Sequence, residues 1–157
     1  MTDTIFLNLS GLDAPAAIEG AAGLAPLISS VFAKWPHILE TTSQKAPFLT
    51  IRPHQKRGWE LTLEGCDAAP RYWDSVNVVC DLVAETAWER IRTDPTLLCL
   101  HAAAVGFGGR LVVLPNARRA GKSTLVAALG HLGHDIYSDD VLPIRTGADI
   151  APFMGIA

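Results

Sequence analysis

The sequence predicts an α/β fold, and the pattern of its second half carries this prediction. Two strand-like runs, Leu97 to Val105 and Arg110 to Leu114, precede a polar loop, a helical run from Ser123 to Leu132 and a short strand from Asp135 to Ser138. Strands that alternate with helices are typical of a layered α/β architecture. Apolar residues make up 49% of the 157 residues, which is enough for a packed core. Gly133, directly after the helical run, suits a left-handed helix cap.

The first half predicts a separate small α+β region over residues 1–95, ahead of a second domain over residues 96–157. Ile5 to Leu9 is a strand candidate. Ala14 to Gly23 is rich in small residues, and it predicts a loop or a weak helix. Apolar residues at helical spacing predict a short amphipathic helix from Pro26 to Trp35.

Two further elements complete the first region. Residues 48–52 and 59–63 alternate apolar and polar side chains about a polar turn, so they predict a hairpin with one face in water. Asp74 or Ser75 can cap a helix that ends before Pro95. The side of this helix expected to be buried carries Val76, Val79, Cys80, Val83, Ala87 and Ile91.

Charge and cysteine usage restrict the classes of partner. The formal net charge of −3 gives no global positive field, so neither nucleic acid nor an acidic membrane surface is expected as a partner. The three cysteines, Cys66, Cys80 and Cys99, form no Cys-x-x-Cys pair and are interpreted as buried free thiols in a reducing compartment. The N-terminus lacks a secretion signal and no apolar stretch qualifies as a membrane span, so a cytoplasmic location is expected.

A phosphate-binding loop is predicted between the second strand and the helix of the second half. The consensus G-x-x-x-x-G-K-[ST] is matched except at its first position, where Asn116 replaces glycine and tolerates a positive φ better than other residues do. The backbone N–H groups of such a loop cradle phosphates, Lys122 supplies a positive charge and the Ser123 hydroxyl binds Mg²⁺. The predicted nucleotide-binding residues are Asn116, Ala117, Arg118, Arg119, Ala120, Gly121, Lys122, Ser123 and Thr124.

Alternatives remain open for this loop. Arg118 and Arg119 lie at its crown, where they either touch phosphate or are simply solvated. The sequence Gly-Lys-Ser-Thr can also cap an ordinary helix by chance, but its place between a strand and a helix favours phosphate binding. We therefore expect the chain to bind a nucleoside triphosphate with Mg²⁺.

Two adjacent acids follow the last predicted strand. Asp139 and Asp140 are expected at the carboxyl edge of the sheet, the edge from which the phosphate loop also leaves. Phosphoryl transfer needs one acid to hold Mg²⁺ and a base for a hydroxyl acceptor, and two carboxylates can divide these roles. The alternative is a pair of turn or cap carboxylates. His101, judged by its apolar surroundings alone, is interpreted as a core histidine.

Residues His101 to Ile144 resemble the catalytic domain of the HPr kinase/phosphorylase family and of HPr kinase-related proteins. The order and spacing of several short segments carry the resemblance. These segments are His101-Ala-Ala-Ala-Val, Gly109-Arg-Leu-Val-Val-Leu, Ala120-Gly-Lys-Ser-Thr, Gly133-His134 and Ser138-Asp-Asp-Val.

The resemblance implies an ATP-dependent kinase that phosphorylates a serine of a protein or peptide, with a fold similar to phosphoenolpyruvate carboxykinase. It implies that Asp139 is the catalytic acid/base, Asp140 a metal-side carboxylate, Ser123 a Mg²⁺ ligand and His101 a helper near the transferred phosphate. It also makes a homo-oligomer an expected state. Family catalytic domains run further than this sequence, and the segment Ala151 to Ala157 reads as the start of another element, so we expect a catalytic domain truncated at its C-terminus.

Three functions are therefore compatible with the sequence. The first is an HPr kinase-related serine kinase. The second is a catalytically inactive or truncated nucleotide-binding module, in which ATP stabilises the fold or a partner complex. The third is a small-molecule kinase or ATPase of another class with a phosphate loop.

Overall fold

The computed structural model of the chain describes residues 3–33, 35–115 and 120–145. The chain forms two compact units, Met1–Arg90 and a second unit that begins at Ile91, whereas the sequence placed the boundary after residue 95. The described residues form a mixed α/β structure with ten strands and three α-helices. No helix within these ranges is long and apolar enough to cross a membrane.

The first unit is built on a six-stranded sheet. Its strands are β1 (Thr4–Leu9), β2 (Ala16–Glu19), β3 (His37–Glu40), β4 (Leu49–His54), β5 (Gly58–Leu63) and β6 (Arg71–Trp73), arranged in the order β3-β1-β2-β4-β5-β6. Neighbouring strands run antiparallel except β2 and β4, which are parallel. The predicted strand at residues 5–9 and the predicted hairpin, now β4 and β5, are both confirmed.

One secondary-structure prediction for this unit is wrong, and one predicted helix is shorter than expected. Residues 14–23 are not a loop or a weak helix, because β2 lies there, followed by a 3-10 turn at Ala21–Gly23. β2 lies between two partner strands, β1 and β4, and its small side chains are buried. The local preference of these residues gives no indication of this pairing. The predicted helix at Pro26 is present as α1 (Ala25–Val31), and it ends four residues earlier than expected.

The long helix α2 (Ser75–Thr93) begins and ends where the sequence indicates, but a different side of it is buried. Asp74 caps it, since its Oδ1 accepts a hydrogen bond from the backbone N–H of Asn77 at 2.8 Å. Val76 and Cys80, which were expected to be buried, are exposed. Apolar residues occupy more than one side of α2, so helical periodicity alone does not select a face. The buried residues are Val78, Val79, Leu82 and Thr86.

The cysteine prediction is also corrected. Cys66 and Cys80 are exposed rather than buried, because they lie in a loop and on the outer side of α2. Cys99 is half-buried, and its burial raises the pKa of the thiol. All three are free thiols, as expected.

The second unit contains the elements that carry the predicted phosphate site. They are β7 (Leu97–Phe107), β8 (Arg110–Pro115), α3 (Lys122–His131), β9 (Ile136–Ser138) and β10 (Val141–Arg145). β7 is central: β8 pairs with one side of it, and β9 and then β10 pair with the other, all antiparallel. The strands and the helix expected here are present, and β10 is an additional strand.

The two faces of this sheet are packed differently. Ala103 and Val105 of β7 form a core cluster with Val126 of α3, so α3 covers this face. The opposite face carries a second cluster of Ala102, Ala104 and Leu142.

Two packing expectations that the sequence suggests for this unit are wrong in part. The apolar run Leu111 to Leu114 predicts a buried strand, but Arg110 to Val113 are exposed, because among the described strands β8 pairs with β7 alone. The apolar residues Leu125, Val126, Ala128 and Leu129 predict the buried side of α3, but only Val126 and Leu129 pack against the sheet, and Leu125 and Ala128 are exposed.

Candidate functional site

The register of the second sheet brings the ends of β8 and β9 close to the middle of β7, where β10 takes over the pairing from β9. Both strands run antiparallel to β7, so they run in the same direction as each other. Pro115, the last residue of β8, pairs with Ala102, and Ser138, the last residue of β9, pairs with Ala104. The chain therefore leaves β8 towards the predicted phosphate loop and leaves β9 towards the two acids at the same level of β7. The sequence predicted the two departures at a carboxyl edge of the sheet, whereas the sheet is antiparallel and β7 extends beyond this point to Leu97.

The N-terminus of α3 points towards the same region of the sheet, where β8 and β9 end. At the far end of the helix, a Cβ added to Gly130 would lie 3.2 Å from the side chain of Ile136, which pairs with Val105. Val126, one turn earlier, packs on Ala103 and Val105. The helix is about 15 Å long at 1.5 Å per residue, so its first turn extends past Ala103 towards the level of Ala102 and His101. The N–H groups at the start of a helix and the helix dipole give this region a partial positive charge.

The residues of the phosphate motif that the structure describes lie at this first turn. Gly121 is the N-cap, with a φ of +78° that favours glycine. The side chains of Ser123 and Thr124 are exposed, and Lys122 is half-buried. Ala120 is also exposed. The remaining residues of the predicted loop, Asn116, Ala117, Arg118 and Arg119, lie outside the described residues.

His101 and Asp140 meet beside the middle of β7, where β9 ends and β10 begins. His101 Nδ1 lies 3.0 Å from Asp140 Oδ1, and the side chains are 50% and 68% exposed. Side chains alternate along a strand, so His101 lies on the same face as Ala103 and Val105, the face that α3 covers. The interpretation of His101 as a core histidine is thus corrected. Its apolar sequence neighbours gave no signal of this contact, and only the family resemblance singled it out.

Asp139 occupies a different environment from its neighbour. Its Oδ1 atom is buried and accepts no hydrogen bond from any group in the described part of the chain. Beside it, the buried Ser138 hydroxyl donates to the carbonyl oxygen of Ala102 at 3.0 Å, which holds the end of β9 against β7. A buried carboxylate oxygen that accepts no hydrogen bond destabilises the fold, so it is a candidate for contact with a bound ligand.

The chemistry of these groups suits Mg²⁺. Mg²⁺ prefers oxygen ligands and is usually held by one or two carboxylates together with substrate phosphates. The Ser123 hydroxyl and the Asp140 carboxylate are oxygen groups of this kind, and the contact of Asp140 with His101 is made by its Oδ1 atom. Within the described ranges no three His, Cys, Asp or Glu side chains gather as a closed metal site. A site of this open kind fits a metal that arrives with its nucleotide.

A cavity of about 440 Å³ opens at the other end of the same unit. Gly106, Gly109 and Tyr137 are among the residues that line it, where the β7–β8 turn faces the segment between α3 and β9. The cavity lies at the Phe107 end of β7, whereas His101 lies near the middle of this strand. The cavity is therefore separate from the predicted phosphate site.

Comparison of this chain with protein-family models, with curated proteins and with solved structures found no match. The expected kinship with HPr kinases thus stays a prediction. What the site can do chemically is inferred from its own residues and their geometry.

Proposed function

We propose that this chain is an HPr kinase-related ATP-binding protein that transfers the γ-phosphate of ATP to a serine of a protein or peptide. One observation carries the proposal: the first turn of α3, the buried Asp139 Oδ1 and the His101–Asp140 pair lie at the same level of the second sheet, beside the middle of β7. An anion site, an acid that holds Mg²⁺ and a base are parts that phosphoryl transfer uses.

Nucleotide binding is assigned to the first turn of α3. Its N–H groups and the helix dipole favour phosphate, and Lys122 adds a full positive charge beside them. Ser123 supplies a hydroxyl for Mg²⁺, which when bound neutralises charge on the β- and γ-phosphates. Asp140 supplies a carboxylate on the metal side.

Transfer is assigned to Asp139. Its carboxylate accepts the proton of the acceptor serine hydroxyl as the serine oxygen forms a bond to the γ-phosphorus. The bond between the γ-phosphorus and the β–γ bridging oxygen breaks, and ADP leaves. His101 fixes the position of Asp140 through the 3.0 Å contact, so the two acids keep separate roles.

The test is a transfer assay with γ-labelled ATP and serine-containing peptide and protein acceptors. Asp139→Asn keeps the shape of the side chain and removes its basicity, so label transfer should fall about 100-fold or more while ATP binding persists. Asp67→Asn, at an exposed acid of the first unit, is the matched control and should transfer normally. Undiminished transfer by Asp139→Asn would overturn the assignment, and ATP binding without transfer to any acceptor would favour the non-catalytic module.

A further inference from the structure

The cavity at the Phe107 end of β7 is a feature of the second unit that the proposed phosphate transfer does not use. Its volume of about 440 Å³ falls within the range of roughly 300–1,000 Å³ that is typical of small-molecule sites. All of its lining residues belong to the second unit, and its polar side chains are those of Arg110, His134, Asp135 and Tyr137. The cavity can therefore hold a molecule of metabolite size against groups that form hydrogen bonds.

The two walls of the cavity are held together before any ligand arrives. The backbone N–H of Gly106 donates to the carbonyl oxygen of Asp135 at 2.7 Å. A Cβ added to Gly106 would lie 3.0 Å from the ring of Tyr137, so glycine at this position permits the close approach of β7 and β9. The rings of Phe107 and His134 stack with their centroids 4.7 Å apart. A cavity with fixed walls loses less conformational entropy when a ligand binds.

The polar side chains that line the cavity have no polar partners among the residues that the structure describes. Neither Arg110 nor Asp135 forms an ion pair within those ranges, whereas Arg71 of the first unit binds two carboxylates. The His134 ring stacks on its aromatic neighbour but forms no hydrogen bond there, and the same holds for the Tyr137 hydroxyl. These groups can meet a ligand without first giving up a contact inside the described part of the chain.

Positive groups gather at the β7–β8 turn. Gly108 and Gly109 form a two-residue turn with φ values of +57° and +75°, as in the type I′ turns that hairpins favour. The pairing of β7 with β8 ends at Phe107 and Arg110, so the N–H groups of the two glycines take no part in it. Arg110 adds a guanidinium, whose planar donors match a carboxylate. This wall of the cavity therefore favours an anionic group.

Negative groups gather at the facing wall. The Asp135 carboxylate lies there, in the segment between α3 and β9. Gly133 and His134 directly follow the end of α3, where the helix dipole is negative and favours a cation. The Tyr137 hydroxyl adds a group that both donates and accepts hydrogen bonds. The cavity thus has one positive wall and one negative wall.

We propose that this cavity binds a small zwitterion of the α-amino acid class. The ligand carboxylate lies against Arg110 and the turn N–H groups, and the ligand ammonium group lies against Asp135. A simple organic acid leaves the negative wall without a counter-charge, and a simple amine leaves the positive wall without one, so neither matches both walls. The cavity is separate from the predicted phosphate site, so amino acid binding does not depend on the kinase assignment.

Nuclear magnetic resonance titration of the full chain with each of the protein L-α-amino acids, without ATP, tests the proposal. At least one should bind with a millimolar or lower dissociation constant, and its analogues that lack the amino group or the carboxylate should bind at least tenfold more weakly. Arg110→Gln and Asp135→Asn should each weaken binding at least tenfold. Arg57→Gln and Asp67→Asn, at exposed residues of the first unit, are the matched controls and should bind as the wild type does.

The amide signals that move during the titration identify the site. The signals of Gly108, Gly109 and His134 should move, whereas that of Gly121 at the start of α3 should stay in place. Far-ultraviolet circular dichroism verifies that each variant is folded. Failure of every amino acid to bind, wild-type affinity in the two folded cavity variants, or equal affinity for the analogue without the amino group would overturn the proposal. Shifts centred on Gly121 would overturn it as well, because they would locate the ligand at the predicted phosphate site.

Discussion

His101 Nδ1 lies 3.0 Å from Asp140 Oδ1, so the central strand β7 is joined to the bend that separates β9 from β10. Val141, directly after the acid, pairs with His101 in the sheet, so the backbone register already brings the two residues together. The contact gives Asp140 a fixed position next to Asp139. In the proposed kinase this separates the metal-side acid from the base.

The first prediction follows from that contact. His101→Ala should leave ATP affinity nearly unchanged but slow phosphate transfer roughly 100-fold, because a displaced Asp140 misplaces the reacting groups. Single-turnover transfer and ATP titration measure the two quantities separately. His131→Ala, at an exposed histidine near the end of α3, is the control and should behave as wild type. An equal loss of ATP affinity and transfer rate would contradict a positioning role for His101.

The second prediction concerns the cap of α2. Hydrogen bonds from Asn77, first from its backbone N–H and then from its side chain, lower the pKa of Asp74. A carboxyl whose pKa is lowered by folding stabilises the protein above its unfolded pKa, and this contribution is lost as the pH falls through the folded pKa. Asp74→Asn keeps a capping side chain without the charge.

Asp74→Asn should therefore be less stable than wild type at neutral pH, and the difference should disappear in acid. Urea unfolding followed by tryptophan fluorescence measures this, because all four tryptophans lie in the first unit. Asp67→Asn, at an exposed loop acid, supplies the reference pH dependence. A difference from wild type that stays constant with pH would show that the charge of Asp74 is irrelevant.

The third prediction concerns Gly58, the first residue of β5 after the β4–β5 turn. Gly58 has a φ of +83°, and a Cβ added there would lie 2.6 Å from the backbone carbonyl oxygen of Trp73. Gly65 has a φ of +68° but open space around it. Gly65→Ala should cost about 1–2 kcal/mol of unfolding free energy from the strained φ alone. Gly58→Ala should cost about 1–3 kcal/mol more, because β6 must also move. Equal losses in urea unfolding would contradict the close approach of β6.

Local sequence patterns predicted the elements that depend on interactions between residues close together in the sequence. The β4–β5 hairpin, α2 with its Asp74 cap and α3 with Gly133 after it follow from alternation, spacing and cap residues that are close in the sequence. The strand β2 could not be found in this way, since its small residues become a strand only through pairing with β1 and β4. Long-range pairing of this kind overrides local propensity.

The site was predictable in part for the same reason. Gly121, Lys122 and Ser123 form a local motif, and α3 begins at Lys122, one residue before the expected Ser123. The position of Asp139 and Asp140 depended on where β9 ends, which the strand pattern indicated. The contact of His101 with Asp140 joins two residues that are far apart in the sequence, and the residues next to His101 give no indication of it.

The most direct test of the account is calorimetric titration of the chain with ATP in the presence and absence of Mg²⁺. We predict Mg²⁺-dependent binding at one site, weakened about tenfold or more by Lys122→Ala, which corresponds to about 1.4 kcal/mol. Lys56→Ala, at an exposed lysine of the first unit, should bind ATP as the wild type does. Absence of ATP binding by the wild-type chain, or wild-type affinity in folded Lys122→Ala, would contradict the assignment of the nucleotide site to the start of α3.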